Sequence, residues 1–300
     1  MADLLQIQKG TGARPRVTYY ANGVASDLDA GVPAVTITRL DGTTIASGTV
    51  TKVAATTGIY EFTLGAQAEC TYLTVTWAGP IGGVTETLTT YVEVLGSHLF
   101  NIADLRALRV AGSTPFSLTA TPLFTDAQIM DARAATLDEF EQILGFSPVP
   151  RFARSVVDGD GLWSVVLPHL KTHRLLSVAV NGAVQQVSSY TLRRSGILEA
   201  TSGYVASGTF TAGRQNVAVE YVAGDERVDP ATARAALIVA KSQLIRSDVT
   251  DRATSLAGPE GGTTFLSTPG RETGGFVQWY GLPQVDSVLN RRTQRGGVPV

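Results

Sequence analysis

Apolar and polar residues alternate with a period of two through the first third of the chain. The runs are Val35-Thr-Ile37, Tyr60-Glu-Phe62-Thr-Leu64, Leu73-Thr-Val75-Thr-Trp77 and Tyr91-Val-Glu-Val94. Alternation of this kind buries one face of a strand and wets the other. Asn22-Gly23, Asp41-Gly42, Thr57-Gly58 and Gly79-Pro80 separate the runs and read as turns. Short strands spaced by about ten residues predict an all-β, immunoglobulin-like sandwich over residues 1–95. No Cys–Trp–Cys framework accompanies them, so Trp77 is expected in the core.

The pattern then breaks. Gly112, Pro115 and Pro122 punctuate a linker at 96–124, with a short helix expected at 101–110. Thr125-Asp-Ala-Gln128 is a capping box, in which the Thr oxygen takes the N3 amide and Gln128 reaches back. The helix behind it aligns Met130, Ala134, Leu137, Phe140 and Leu144, and Gly145 stands where a left-handed C-terminal residue belongs. From 154 to 223 the period returns to two, with Asn181-Gly182 as a hairpin turn, so a β-rich insertion is expected. Asp229-Pro230 opens a second helix with an N-cap and a proline at N1. Arg234 and Lys241 lie one heptad apart on it and are expected on one face. A loop rich in Gly, Thr, Ser and Pro fills 247–280, and a loop of that length reads as functional or as ordering on binding. A closing helix begins near Pro283, with Val285, Val288 and Leu289 on one face. It is too short to stand alone and must pack on something.

Composition narrows the classes. Hydrophobic residues make up 44% and charged residues 17% of the 300, which fits globular cores. A formal charge of −2 argues against a generally basic nucleic-acid binder and against electrostatic membrane attachment. Cys70 is the single cysteine, so an intrachain disulfide and a multi-cysteine metal site are both impossible, and a reducing compartment is expected. The start, MADLLQIQKG, lacks a secretory h-region, and no uncharged apolar run reaches membrane-spanning length.

Candidate chemistry is sparse. His169 and His173 stand four apart, but Pro168 and β-like surroundings make them turn or solvent-facing histidines rather than helix-borne metal ligands. His98 is expected to be structural. Asp158-Gly-Asp160-Gly161 lacks the later ligands of a calcium loop and reads as a β-turn. Gly79-Pro-Ile-Gly82-Gly83 and Gly258-Pro-Glu-Gly261-Gly262 have no strand-to-helix setting for phosphate. Nothing marks a nucleophile, so no enzyme activity, cofactor or metal is expected. Arg271, Arg291, Arg292 and Arg295 make the C-terminal region basic: either a solvated tail, or a contact to an acidic partner surface or phosphates. Trp279 and Tyr280 are either core residues or interface anchors.

The stretches "TDAQIMDARAATLDEFEQILGF", a β-rich insertion, "YVAGDERVDPATARAALIVAKSQLI", a long loop and "GLPQVDSVLNRR" follow one another from about Leu118 onward. This order resembles the head–tail connector (adaptor) family of long-tailed bacteriophages. The specific parts are the Tyr-x-Ala-Gly … Pro … Ala entry to the second helix and the closing Gly-Leu-Pro-x-Val-Asp-x-Val-Leu-Asn-Arg. The resemblance implies an α+β, multidomain chain: the N-terminal sandwich, then a helical connector domain at 125–300 with its β insertion at 154–223. It implies an architectural protein of the virion neck, assembled in the host cytoplasm, forming a ring of twelve copies beneath the portal and extending the DNA channel. Implied partners are the portal protein, the next neck or tail component (a stopper or tail terminator), further copies of the chain, and passing double-stranded DNA bound without sequence specificity. No membrane is involved.

By the same resemblance the segment at 278–300 docks on the portal through Trp279, Tyr280, Leu282, Pro283, Val285, Val288, Leu289, Arg291, Arg292 and Arg295. Arg234 and Lys241 would face the channel or ring, and the loop after Arg246 the tail side. The first 95 residues are extra relative to compact adaptors, and such domains on phage structural proteins usually decorate the outside. A near-neutral ring lets DNA pass without sticking. Two alternatives are an adhesion or carbohydrate-binding protein that uses the N-terminal sandwich, and a hydrolase with an unseen site. The N-terminal strands lack surface-aromatic clusters, which disfavours the first. The scarcity of His, Cys and motif chemistry disfavours the second.

Overall fold

The computed structural model describes residues 4–48, 50–108, 124–201, 209–245, 255–257, 263–265, 271–273 and 276–296. The chain is mixed α+β and divides into two compact units, Met1–Ser97 with Pro150–Gly224, and His98–Val149 with Asp225–Val300. Among the described residues no helix is long and apolar enough to cross a membrane.

The first unit is built from strands. One sheet has the order β1 (Leu4–Gln8), β10 (Val84–Leu95), β9 (Thr71–Ile81), β5 (Ala34–Arg39), β6 (Thr44–Gly48), with β1 parallel to β10. A second has the order β2 (Arg16–Thr18), β8 (Ile59–Phe62), β7 (Val50–Lys52). Strict alternation along β9 sends Leu73, Val75 and Trp77 into the space between these sheets, where they meet Ile37, Tyr60, Phe62, Val92 and Val94 in one core. Trp77 is fully buried as expected, and its Nε1 donates to Thr90 Oγ1 at 2.9 Å. Tyr19 meets Tyr60 edge-on; burial, then the Glu86 carboxylate, pushes the Tyr19 hydroxyl up to about 12. Two further strands, β3 (Tyr20–Ala21) and β4 (Val24–Ala25), flank the expected Asn22-Gly23 turn.

The stretch expected as an insertion forms two more sheets. One runs β11 (Arg151–Gly159), β17 (Gly213–Ala223), β13 (Arg174–Val180), β14 (Ala183–Gln185). The other runs β12 (Ser164–Val166), β16 (Ile197–Ala200), β15 (Tyr190–Leu192). Their core gathers Val165, Leu167, Val178, Leu198, Phe210, Val217, Val219 and Tyr221. Asn181 and Gly182 both take positive φ (51° and 77°) between Val180 and Ala183, as a two-residue hairpin turn requires.

These sheets share a compact unit with the N-terminal ones, and the reason lies in the joint between them. Glu93 is turned away from the alternating core of β10, yet it is 3% exposed. Its carboxylate accepts both Arg151 Nε (2.6 Å) and Nη2 (2.8 Å), and Gln6 Nε2 at 2.9 Å. The Gly96 amide donates to the Pro150 carbonyl, and a Cβ on Gly96 would come within 2.6 Å of the Pro150 ring. Arg154 donates to the Leu40 carbonyl at 2.7 Å, and Arg174 pairs with Glu69 at 2.6 Å.

The second unit is helical: α1 (Ile102–Ala107), α2 (Asp126–Leu144), α3 (Pro230–Ile245) and α4 (Pro283–Gly296). The capping box at Thr125 and Gln128 is present, and Gly145 ends α2 in the left-handed region at φ 72°. The buried face of α2 differs from the expected stripe. It comprises Ile129, Ala132, Arg133, Thr136, Leu137, Phe140 and Leu144, whereas Met130 and Ala134 are only part-buried, because the helix faces α1, α3 and α4 together and needs a broad face. Asp229 caps α3 through the Thr232 amide, and Thr232, Ala235, Ala236, Val239 and Ala240 form its buried face. Within the expected loop at 247–280 the described parts are two ladders, β18 (Ser255–Ala257) with β19 (Thr263–Phe265) and β20 (Arg271–Thr273) with β21 (Phe276–Gln278). Apart from Trp279 and Tyr280, the rest of that loop, and 109–123 of the linker, lie outside the described residues.

Replacing Arg151 by Ala leaves the Glu93 carboxylate buried without its cation. Urea denaturation should register a loss of about 3 kcal/mol in the first unit, and Glu93→Gln should lose less because no bare charge remains.

Candidate functional site

The residues singled out at the C-terminus surround α4. Its start is fixed by reciprocal contacts. The Val285 and Asp286 amides turn back to the Leu282 carbonyl, and the Asp286 carboxylate accepts the Tyr280 amide at 2.9 Å. An acid in the first turn also suits the positive end of the helix dipole. Pro283 occupies the first helical position, where no amide is needed. Val285 and Leu289, four residues apart, are both 0% exposed and sit on the side that meets α2 and α3. Asp286 and Asn290 are buried beside them, and Asn290 Nδ2 donates to the Asp286 carbonyl.

Two polar pairs hold the ends of this segment. At the first, the Tyr280 hydroxyl donates to Glu139 Oε2 of α2 at 2.6 Å, while Gln243 Nε2 of α3 donates to Glu139 Oε1 at 3.0 Å. The Thr136 hydroxyl joins this network 3.3 Å from Gln243 Oε1. The Tyr280 ring rests 6.2 Å from that of Phe140, and burial, then the Glu139 carboxylate, pushes its hydroxyl far above the usual tyrosine range. It stays a donor at any physiological pH. At the second, Arg292 donates to the Asp225 carboxylate and the Thr232 hydroxyl and stacks over the Phe146 ring at 5.5 Å.

Tyr280 is half-buried and tied to α2 through Glu139. Val288, Leu282 and Trp279 are half-buried, and the Trp279 indole N–H has no hydrogen-bond partner among the described residues. Pro283, Gln284, Ser287 and Arg291 are exposed on the outer side of α4. The side chains of Arg295 and Arg271 lie outside the described ones. On α3, Arg234 is exposed but Lys241 is buried, so the heptad spacing does not give the two a common solvent face.

Sequence reasoning missed Glu139, Gln243, Thr232 and Asp225 as partners of the segment. It also passed over Arg133, which is 6% exposed and donates to the Phe100 carbonyl at 3.3 Å. Its signal was available: Arg133 stands between Ile129 and Leu137 at four-residue steps, a cation inside an apolar stripe. Burial pulls Arg133 down to about 10. Burial, then the Arg133 guanidinium, pulls His98 down to about 4.

The other expected sites are structural. His169 and His173 lie in irregular chain, and His169 Nδ1 shares a 2.6 Å hydrogen bond with the Tyr221 hydroxyl. Asp158 lies in β11 rather than in the expected turn and accepts the Gln215 amide of β17, while Asp160 accepts the Leu162 amide as a turn residue does. The Cys70 thiol is buried, and burial pushes its pKa up. Among the described residues no group of His, Cys, Asp and Glu could hold a metal ion.

No family model and no curated protein matches the chain. A chain from the neck of an empty GTA particle, solved with C6 symmetry, is similar over 50% of this chain and 80% of its own, at 16% identity and a TM-score of 0.38. A nucleoside hydrolase-related protein from Saccharophagus degradans, associated with carbohydrate metabolism, is similar over 31% of this chain and 22% of its own. There the identity is 13% and the TM-score 0.17. At scores this low neither likeness assigns a fold or a function.

Leu289→Ala should cost about 2–5 kcal/mol in chemical denaturation of the full chain, since the site is fully buried. A second expectation concerns pH. His98 binds a proton near 6.5 when unfolded and only near 4 when folded. Stability from this group is therefore complete above about pH 6.5 and falls as pH drops toward 4, by on the order of 3 kcal/mol. Urea midpoints measured across that window should decline less steeply in His98→Asn.

Proposed function

We propose that this chain is a structural neck protein of a phage-like virion, a head-to-tail adaptor that forms a ring beneath the portal and extends the DNA channel toward the tail. One observation supports the reading most. The three separated stretches that carry the sequence resemblance converge in one helical unit, as α2, α3 and α4. Residues more than a hundred positions apart meet there, with Tyr280 on Glu139 and Thr136 on Gln243. A connector domain built around those stretches needs this convergence.

In this reading the docking segment is 278–300, and it contacts the portal with twelve copies acting together, so that weak contacts add. Arg291 and Arg295 supply its positive charge, and Arg234 faces the ring or channel. The strand orders β1-β10-β9-β5-β6 and β2-β8-β7 favour an immunoglobulin-like reading of the N-terminal sheets, as a decoration of the neck. The chain itself carries no catalytic role in this account, and DNA passes without sequence-specific contacts.

The test is assembly. Purified chain should scatter light as a monomer or weak oligomer and should form rings in negative-stain images when mixed with portal-containing capsids. Arg291→Glu should reduce ring occupancy without lowering thermal stability. A stable small oligomer that binds glycans and ignores portals would defeat the proposal.

A further inference from the structure

We propose that α4 is a releasable strap: the Tyr280–Glu139 and Arg292–Asp225 pairs hold it shut against α2 and α3 in the free chain, and its opening supplies the face that docks. The inference rests on the neck reading for what it docks to, but not for the opening itself.

The distribution of side chains around the helix carries the argument. Stable docking of a helix needs large apolar or aromatic anchors at its centre. The outer side of α4 offers Pro283, Gln284, Ser287 and Arg291, and no exposed large hydrophobic residue lies beyond Val187 among the described residues. Its fully buried anchors, Val285 and Leu289, are already consumed inside the unit, and Trp279, Leu282 and Val288 are half-buried. The segment can present its whole apolar side to a partner only after it leaves its own seat.

The seat is suited to being left. Beside Val285 and Leu289 the buried positions of α4 are Asp286 and Asn290, so half of its buried face is polar, whereas the buried face of α3 sets Ala235, Ala236, Val239 and Ala240 against two polar residues, Thr232 and Lys241. Besides the apolar packing of Val285 and Leu289, α4 is fixed by polar contacts at its two ends: Glu139 with Gln243 for Tyr280, and Asp225 with Thr232 for Arg292. A few charge-assisted bonds make a contact that is specific when closed yet reversible.

Amide hydrogen exchange on the full chain tests this. Peptides from α4 should exchange at least about a hundredfold faster than those from α2 and α3, as a locally opening element does. Tyr280→Phe removes one hydroxyl bond to a carboxylate and should speed α4 exchange about tenfold while leaving α2 and α3 unchanged. Asp225→Asn, which loosens the other clamp without altering size, should do the same. Both variants should join portal-bearing capsids faster than the parent chain. If the helices exchange in step, or if either variant accelerates them equally, there is no strap. If α4 opens selectively but the variants join no faster, the opening does not control docking, and that half of the inference falls. Because exchange is read without portal, selective opening in a chain that never joins capsids would overturn the neck reading and leave the strap intact.

Discussion

A single buried carboxylate organises the larger unit. Glu93 sits where β1, β10 and β11 come together, and three donors from Gln6 and Arg151 satisfy it. An ion taken this far from water is tolerated only when its lone pairs are filled, so its surroundings must be in register before it can be buried. That requirement aligns the start of β11 with the end of β10. The neighbouring amide of Gly96, on the Pro150 carbonyl, follows from the same alignment, as does the close approach that leaves no room for a Cβ.

Local structure was legible where one element decides its own geometry. The capping box at Thr125, the left-handed stop at Gly145, the N-cap at Asp229, the Asn181-Gly182 turn and the alternation through Trp77 all depend on near neighbours. The sequence states near neighbours directly. What could not be read was set by distant segments. Glu93 occupies the wet side of an alternating strand by pattern, and only a sheet formed some sixty residues later covers it. On α2, the pattern put Met130 and Ala134 on the apolar face with Leu137, Phe140 and Leu144, but three helices press on it and the buried face includes Arg133 and Thr136 in place of the first two. The membership of 154–223 was hidden for the same reason: its ties are Arg151, Arg154 and Arg174, which look like ordinary surface arginines.

The candidate site shows the same division. The closing helix, its proline start and its apolar positions were evident, as was its need for something to pack on. Its seat was not, because Glu139, Gln243 and Asp225 are polar residues on other elements with no motif to announce them. Arg292 illustrates the ambiguity of a basic tail. One of its arginines is a structural clamp and its neighbour Arg291 is free to meet a partner, and sequence alone assigns both the same charge.

The interleaving of the two units bears on synthesis. Each is made of two stretches, 1–97 with 150–224 and 98–149 with 225–300, so the chain passes between them three times. As the chain leaves the ribosome, the N-terminal sheets appear first, but Glu93 has no cation until residue 151 has emerged. By then α1 and α2 are already out, with their apolar faces waiting for α3 and α4 from the last quarter of the sequence. Neither unit is complete before part of the other exists, and a nascent chain that has reached residue 224 still carries a helical unit without α3 and α4. Long-range closure of this kind is slow, and it places the exposed side of α2 in the longest wait.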